Sequence, residues 1–221
     1  MADQPGLITL TEPSSAASEA YRTLRMNLQF ASLDRQMRSL LITSPNPGEG
    51  KTTTLANLAV TMSQVDQRVI MVDCDLRRPV LHQLFGLSNE RGLTNMMLDD
   101  EALAHPPVQA TTINGLSLLA SGALPPRPAD LLGSKRMELV LSKLLENADL
   151  LLLDAPPVMV VTDAVVLATK VDAVLLVTSA GETKREHAQS AIERLKKVNA
   201  HLVGAVLNNV ATDPSMQSYY K

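Results

Sequence analysis

The apolar run Leu40-Leu41-Ile42 leads into Pro47-Gly48-Glu49-Gly50-Lys51-Thr52-Thr53, and Thr54 to Met62 then read as a helix. An apolar strand that turns through glycines into a helix start is the usual cradle for a triphosphate. Gly48 and Gly50 let the backbone curl so that successive N–H groups point at phosphate oxygens. The new helix adds its positive N-terminal end, Lys51 adds a full charge, and the Thr52 hydroxyl is a ligand for Mg²⁺. The strict pattern G-x-x-x-x-G-K-[ST] is not met, because Pro45 stands where its first glycine belongs. A plain glycine turn between strand and helix is the competing explanation, so support has to come from elsewhere in the chain.

The chain around this loop alternates between short apolar runs and helical patterns. Leu40–Thr43, Val69–Asp73, Leu116–Ala120, Leu150–Asp154, Ala173–Thr178 and Leu202–Leu207 read as strands. Ala188, Ala191, Ile192, Leu195 and Val198 recur at helical spacing between the last two. Such alternation implies βαβ units and a doubly wound, mostly parallel sheet flanked by helices, an α/β fold. With 221 residues, one domain accounts for the chain, 1–221. Within it, 1–15 reads as an irregular lead-in, 16–31 as a helix capped by Ser14 or Ser15, and 211–221 as a polar tail.

Composition narrows the setting. A single cysteine, Cys74, excludes an internal disulfide and fits a reducing cytoplasm. Four scattered histidines show no metal-ligand spacing, and a formal net charge of −3 gives no overall attraction to nucleic acid, so no nucleic-acid partner is expected. No apolar run is long enough to cross a bilayer, and the expectation is a cytoplasmic protein that meets a membrane only through a partner.

In a parallel sheet the loop lies at the carboxyl ends of the strands, so further chemistry should gather there. Val69 to Val72 ends in Asp73-Cys74-Asp75, and Leu150 to Leu153 ends in Asp154. Carboxylates at that rim can hold Mg²⁺ directly or through water, with one left as a base. A strand-ending Asp that merely caps a turn is the plainer reading for any one of them.

These stretches resemble a known family. Val72 to Pro79 looks like the second Walker motif, A′, of the bacterial protein-tyrosine kinases (BY-kinases). Leu151 to Pro157 resembles their Walker B, and the Pro47 to Thr52 loop their deviant, MinD/ParA-like Walker A. Glu19, Arg22 and Arg25 form E-x-x-R-x-x-R, similar to the motif with which these kinases build rings. Ser121 to Pro126 and Gly204 to Asn208 match further family stretches, so the likeness runs through nearly the whole chain in order.

The likeness is to the short, separate CapB- or CpsD-type kinases of capsule and exopolysaccharide systems. It implies a P-loop NTPase fold and ATP with Mg²⁺ as cofactors. Gly48, Glu49, Gly50, Lys51, Thr52, Thr53 and Asn208 would bind nucleotide, with Asn208 at a position that contacts adenine in related ATPases. Thr52, Asp75 and Asp154 would hold the metal, and Lys51, Asp73, Asp75 and Asp154 would carry catalysis, with Asp73 as base. Asp73 and Asp75 could exchange roles. Tyr219 and Tyr220 would accept phosphate. The partners implied are a transmembrane polysaccharide co-polymerase acting as modulator, a tyrosine phosphatase and further copies of the chain in a ring.

Two departures stand out. Tyr219 and Tyr220 make a thin tyrosine cluster for this family, on a tail that could span ~35–40 Å when extended. Asn46 stands where ParA/MinD-like ATPases carry a second lysine, which weakens the alternative of an ATPase switch that phosphorylates no protein. An ATP-binding structural partner is a third reading, opposed by the presence of Lys51, Thr52 and all three aspartates.

Overall fold

A computed structural model describes residues 6–31 and 36–211. Its strands are Ser39–Thr43 (β1), Val69–Asp73 (β2), Gln109–Ala110 (β3), Leu116–Leu119 (β4), Leu150–Asp154 (β5), Ala173–Ser179 (β6) and Leu202–Asn208 (β7). They form one sheet in the order β3-β4-β2-β5-β1-β6-β7, parallel throughout except for the β3–β4 pair. The apolar runs in the sequence correspond to six of these strands. The exception, β3, is a two-residue antiparallel edge with no alternation to announce it.

The helices are Ile8–Thr11 (α1), Ala16–Ala31 (α2), Lys51–Ser63 (α3), Leu81–Leu84 (α4), Leu93–Leu98 (α5), Asp100–Ala104 (α6), Pro128–Gly133 (α7), Lys135–Leu144 (α8), Asp163–Ala168 (α9) and Arg185–Lys197 (α10). Side chains alternate across each central strand, so both faces are buried. Leu40, Ile42, Met71 and Leu152 pack with α3 on one face. Leu41, Val72, Leu151 and Leu153 pack with α5, α8 and α9 residues on the other.

One expectation fails. The lead-in is not wholly irregular, because Ile8–Thr11 makes a helical turn. The reason lies in α3, buried continuously from Thr54 to Ser63. A helix with no solvated face needs cover on its outer side, and α1 and α2 supply it. Leu7 and Leu28 join the core there. Asn57 of α3 accepts from the Thr9 amide at 3.1 Å and the Thr9 hydroxyl at 2.9 Å, both buried.

Topology then fixes the site. The chain leaves β1 in one direction to reach β2 and lies beside β6 on the other, so the β1–α3 loop sits at the point where strand order reverses. Register pairs Asp73 of β2 with Asp154 of β5 in the last row of the sheet. The acids therefore reach the same rim as the loop.

Candidate active site

Gly48 and Gly50 of the loop hold φ values of 82° and 85°, the left-handed region that glycine enters at little cost. A Cβ at Gly50 would also meet the Asn208 amide nitrogen at 2.1 Å. Gly50 is the N-cap of α3 and supplies no side-chain bond. The first amides of a 13-residue helix are thus left uncapped by any side chain, a terminus suited to an anion.

Lys51 opens that helix and turns into the acids. Its Nζ lies 3.2 Å from Asp75 Oδ2 and 3.3 Å from Asp154 Oδ1. The Thr52 hydroxyl donates to Asp154 Oδ2 at 2.6 Å. Burial pulls against the Lys51 charge, but Asp154 and Asp75 outweigh it, and the ammonium is held above its ordinary pKa. Asp154 is fully buried, and burial raises its carboxyl despite the opposing pull of Lys51 and Thr52.

Asp73 lies deeper. It is fully buried, accepting from the Leu81 amide at 3.1 Å and, more weakly, the Asp75 amide at 3.3 Å. Burial, reinforced by Asp154, pushes its carboxyl up to about 7. The chain comes back to Asp73 at Leu81, after the 74–80 segment. Asp75 instead faces Lys51 and accepts from the Arg78 amide at 3.0 Å. Cys74, between the two acids, is buried in the apolar cluster, and its thiol is driven well above the usual range by that burial.

The donor set fits Mg²⁺. Among the described residues no three His, Cys, Asp or Glu side chains form a metal cage. Mg²⁺ keeps waters and takes few protein ligands beside nucleotide phosphates, and one hydroxyl with two carboxylates matches that habit.

Three other groups of residues fall as follows. The Glu49 side chain is buried and bonds Asn46 and Thr183. Asn208 donates to the Glu49 carbonyl at 3.3 Å. Thr53 is exposed in the first turn of α3. On α2, Arg22 pairs with Glu19 at 2.7 Å and donates to the Pro13 carbonyl at 2.6 Å, while Arg25 Nε is buried without a partner. Tyr219 and Tyr220 lie outside the described residues. Tyr21, the third tyrosine, is partly buried beside Thr54, and burial raises its phenol.

From sequence alone Arg77 is open between steering acidic residues near a substrate tyrosine, stabilising phosphate and solvating a loop, and Asp163 carries no signal that singles it out. Arg77 grips the fully buried Asp163 through two bonds of 2.9 and 3.0 Å, tying the 74–80 segment to the start of α9. Asp163 lies 86 positions away, and only its place at a helix start hints at a task. A cavity of about 630 Å³ opens elsewhere, at the amino ends of β2 and β4, lined in part by Arg68, Thr111, Asn114 and Lys143. Its two cations are paired with Asp149 and Glu146, and the loop lies at the opposite ends of the strands.

Sheet order, loop and acids define a P-loop NTPase of the ParA type. The ParA family model, described as NUBPL iron-transfer P-loop NTPase, matches residues 36–218. More specific relatives resolve the class. Tyrosine-protein kinase YwqD of Bacillus subtilis (strain 168) is 44% identical over 205 residues, 93% of this chain and 86% of that protein. Putative tyrosine-protein kinase CapB of Staphylococcus aureus is 33% identical, covering 95% of this chain and 91% of its own length. The solved kinase domain of the Escherichia coli tyrosine kinase ETK superposes with a TM-score of 0.91 at 32% identity, over 97% of this chain and 84% of that one. The chain belongs to the bacterial tyrosine-protein kinase (BY-kinase) family, and its enzyme class is protein-tyrosine kinase.

Among the described residues no helix is long and apolar enough to cross a membrane.

Proposed function

We propose that the chain is an ATP- and Mg²⁺-dependent tyrosine autokinase that phosphorylates Tyr219 and Tyr220 and thereby regulates capsular or exopolysaccharide polymerisation and export. The observation that carries this reading is the convergence of Lys51, Thr52, Asp75 and Asp154 at the uncapped start of α3, with Asp73 directly behind them.

The uncapped α3 amides and Lys51 receive phosphate oxygens, and Lys51 moves from its carboxylate partners toward the charge that develops on the transferring group. Thr52, with Asp75 and Asp154 directly or through water, would hold Mg²⁺, which would supply electrostatic stabilisation of that charge. Asp73 takes the tyrosine proton. A phenol with an ordinary pKa near 10 is a poor nucleophile at neutral pH, and a carboxyl raised to about 7 is a better match for it than an unshifted one. Asn208 lies against the loop where a nucleobase would meet the end of β7.

A tail starting after Val210 is long enough to serve a neighbouring subunit, and Glu19, Arg22 and Arg25 would dock that neighbour in a ring. A transmembrane modulator would recruit the cytoplasmic kinase to the membrane face, and a phosphatase would reset it. Light scattering of the Arg22→Ala/Arg25→Ala double variant should show a smaller particle; an unchanged mass removes α2 from the interface. For the chemistry, intact-mass analysis after incubation with Mg·ATP should show added phosphate in the wild type and none in Lys51→Met. Phosphate on both would take Lys51 out of the reaction.

A further inference from the structure

Glu49 carries a carboxylate at the centre of the phosphate loop, where negative charge works against an anionic ligand. Yet it is only 2% exposed, and its oxygens face two donors from the loop itself and one from a distant part of the fold. Oε2 accepts from the Asn46 amide at 2.8 Å, and Oε1 from the Asn46 side chain at 2.9 Å. The Thr183 hydroxyl donates to the same Oε1 at 2.5 Å. Thr183 lies 134 positions away, in the connection between β6 and α10. There its own hydroxyl accepts from the Ser179 amide at 2.8 Å, which fixes the direction of the donated proton.

Two further ties run the same way. His187 Nδ1 lies 3.1 Å from Asn46 Oδ1, and the Asn208 side chain reaches the Glu49 carbonyl. A carboxylate accepts only, so three donors suit it, whereas an amide in its place would turn N–H groups toward N–H groups.

We propose that Glu49 is a positioning residue: its buried carboxylate, bonded by Asn46 and Thr183, locks the phosphate loop to the β6–α10 connection in the shape that receives nucleotide. The side chain touches no phosphate. It holds Gly48 and Gly50 in their left-handed turns, so that binding does not have to order the loop. The proposal rests on the nucleotide reading above, and its test separates the two.

The brace is broken from the far side with Thr183→Val, which removes the hydroxyl and keeps the shape, and mended with Thr183→Ser. Hydrogen exchange of the Gly48 to Lys51 amides is followed first in nucleotide-free protein. The valine variant should exchange faster and the serine variant like wild type. Fluorescent ADP titration should then show about tenfold weaker binding for valine, since affinity falls with the fraction of loop in the competent shape. Its KM for ATP should rise in step while kcat stays within about twofold. If the valine variant folds poorly, Glu49→Gln is read by the same exchange and titration. Wild-type exchange and wild-type affinity in the altered proteins would overturn the proposal. Failure of the wild type to bind ADP would instead overturn the nucleotide reading, leaving the exchange comparison to judge the brace alone.

Discussion

Two ion pairs at opposite ends of the sheet show what environment does to the same interaction. Arg68 and Asp149 meet at 2.7 Å at the amino ends of the strands, with side chains 61% and 41% exposed. Lys51 and Asp154 meet at the longer distance of 3.3 Å at the carboxyl ends, with exposures of 13% and 0%. The Arg68 guanidinium, mainly by its hydrogen bonds, holds the Asp149 carboxyl down to about 2. Water screens both partners, so the tighter geometry supports little. At the other end burial raises Asp154 and brings Asp73 to about 7. Contact distance does not mark the site, and neither does the 630 Å³ cavity beside Arg68. Desolvated acids around one ammonium mark it.

The comparison breaks first at Lys51. Lys51→Met should cut phosphotransfer by at least about 10²–10³-fold. It should also cost about 3 kcal/mol of stability, because Asp75 and Asp154 would be left buried without their cation. Kinase assay and urea denaturation check the two halves separately. Full stability in the variant would mean that the buried pair is no more demanding than the exposed one.

Asp73 comes next. Asp73→Asn should lower the rate of phosphotransfer about 10²–10⁴-fold. In the wild type, kcat/KM should climb through an ionisation near pH 7 as Asp73 loses its proton. A flat profile between pH 6 and pH 8, values bracketing that ionisation at about one unit each side, would take Asp73 out of the role of base.

The same group sets a stability trend. Its carboxyl binds a proton more tightly when folded, at about 7, than at the ordinary 3.8. The stabilising contribution is therefore complete below the unfolded value and disappears as pH rises through the folded one. Between about pH 5 and pH 8 the wild type should lose roughly 2–3 kcal/mol that Asp73→Asn keeps. Denaturant midpoints at the two pH values measure the difference.

The smallest effect belongs to the exposed pair. Asp149→Asn should leave kinase activity unchanged and the melting temperature close to that of wild type. A large loss of either would mean that the amino-end pair is not screened as its exposure implies.

Much of this was legible in the chain itself. Lys51, Thr52, Asp75 and Asp154 stand at fixed offsets from apolar strands buried on both faces, and such strands carry long local signals. Register then aligned Asp73 with Asp154, as the shared strand ends implied. The unread parts depend on partners far away in sequence. Nothing near Thr183 announces that it will meet Glu49, nor anything near Arg77 that it will meet Asp163. The turn Ile8–Thr11 was missed for a similar reason. Its four residues hold no periodicity, and its task of covering α3 exists only in the folded molecule.

The rim also separates two activities that a ParA-type fold can support. ADP and phosphotyrosine should be quantified in the same Mg·ATP reaction, with the modified residues located by peptide mapping. Phosphotyrosine should appear on Tyr219 or Tyr220, with none on the partly buried Tyr21 and none anywhere in Lys51→Met. Steady ADP release with no phosphotyrosine would contradict the account and make the chain an ATPase switch.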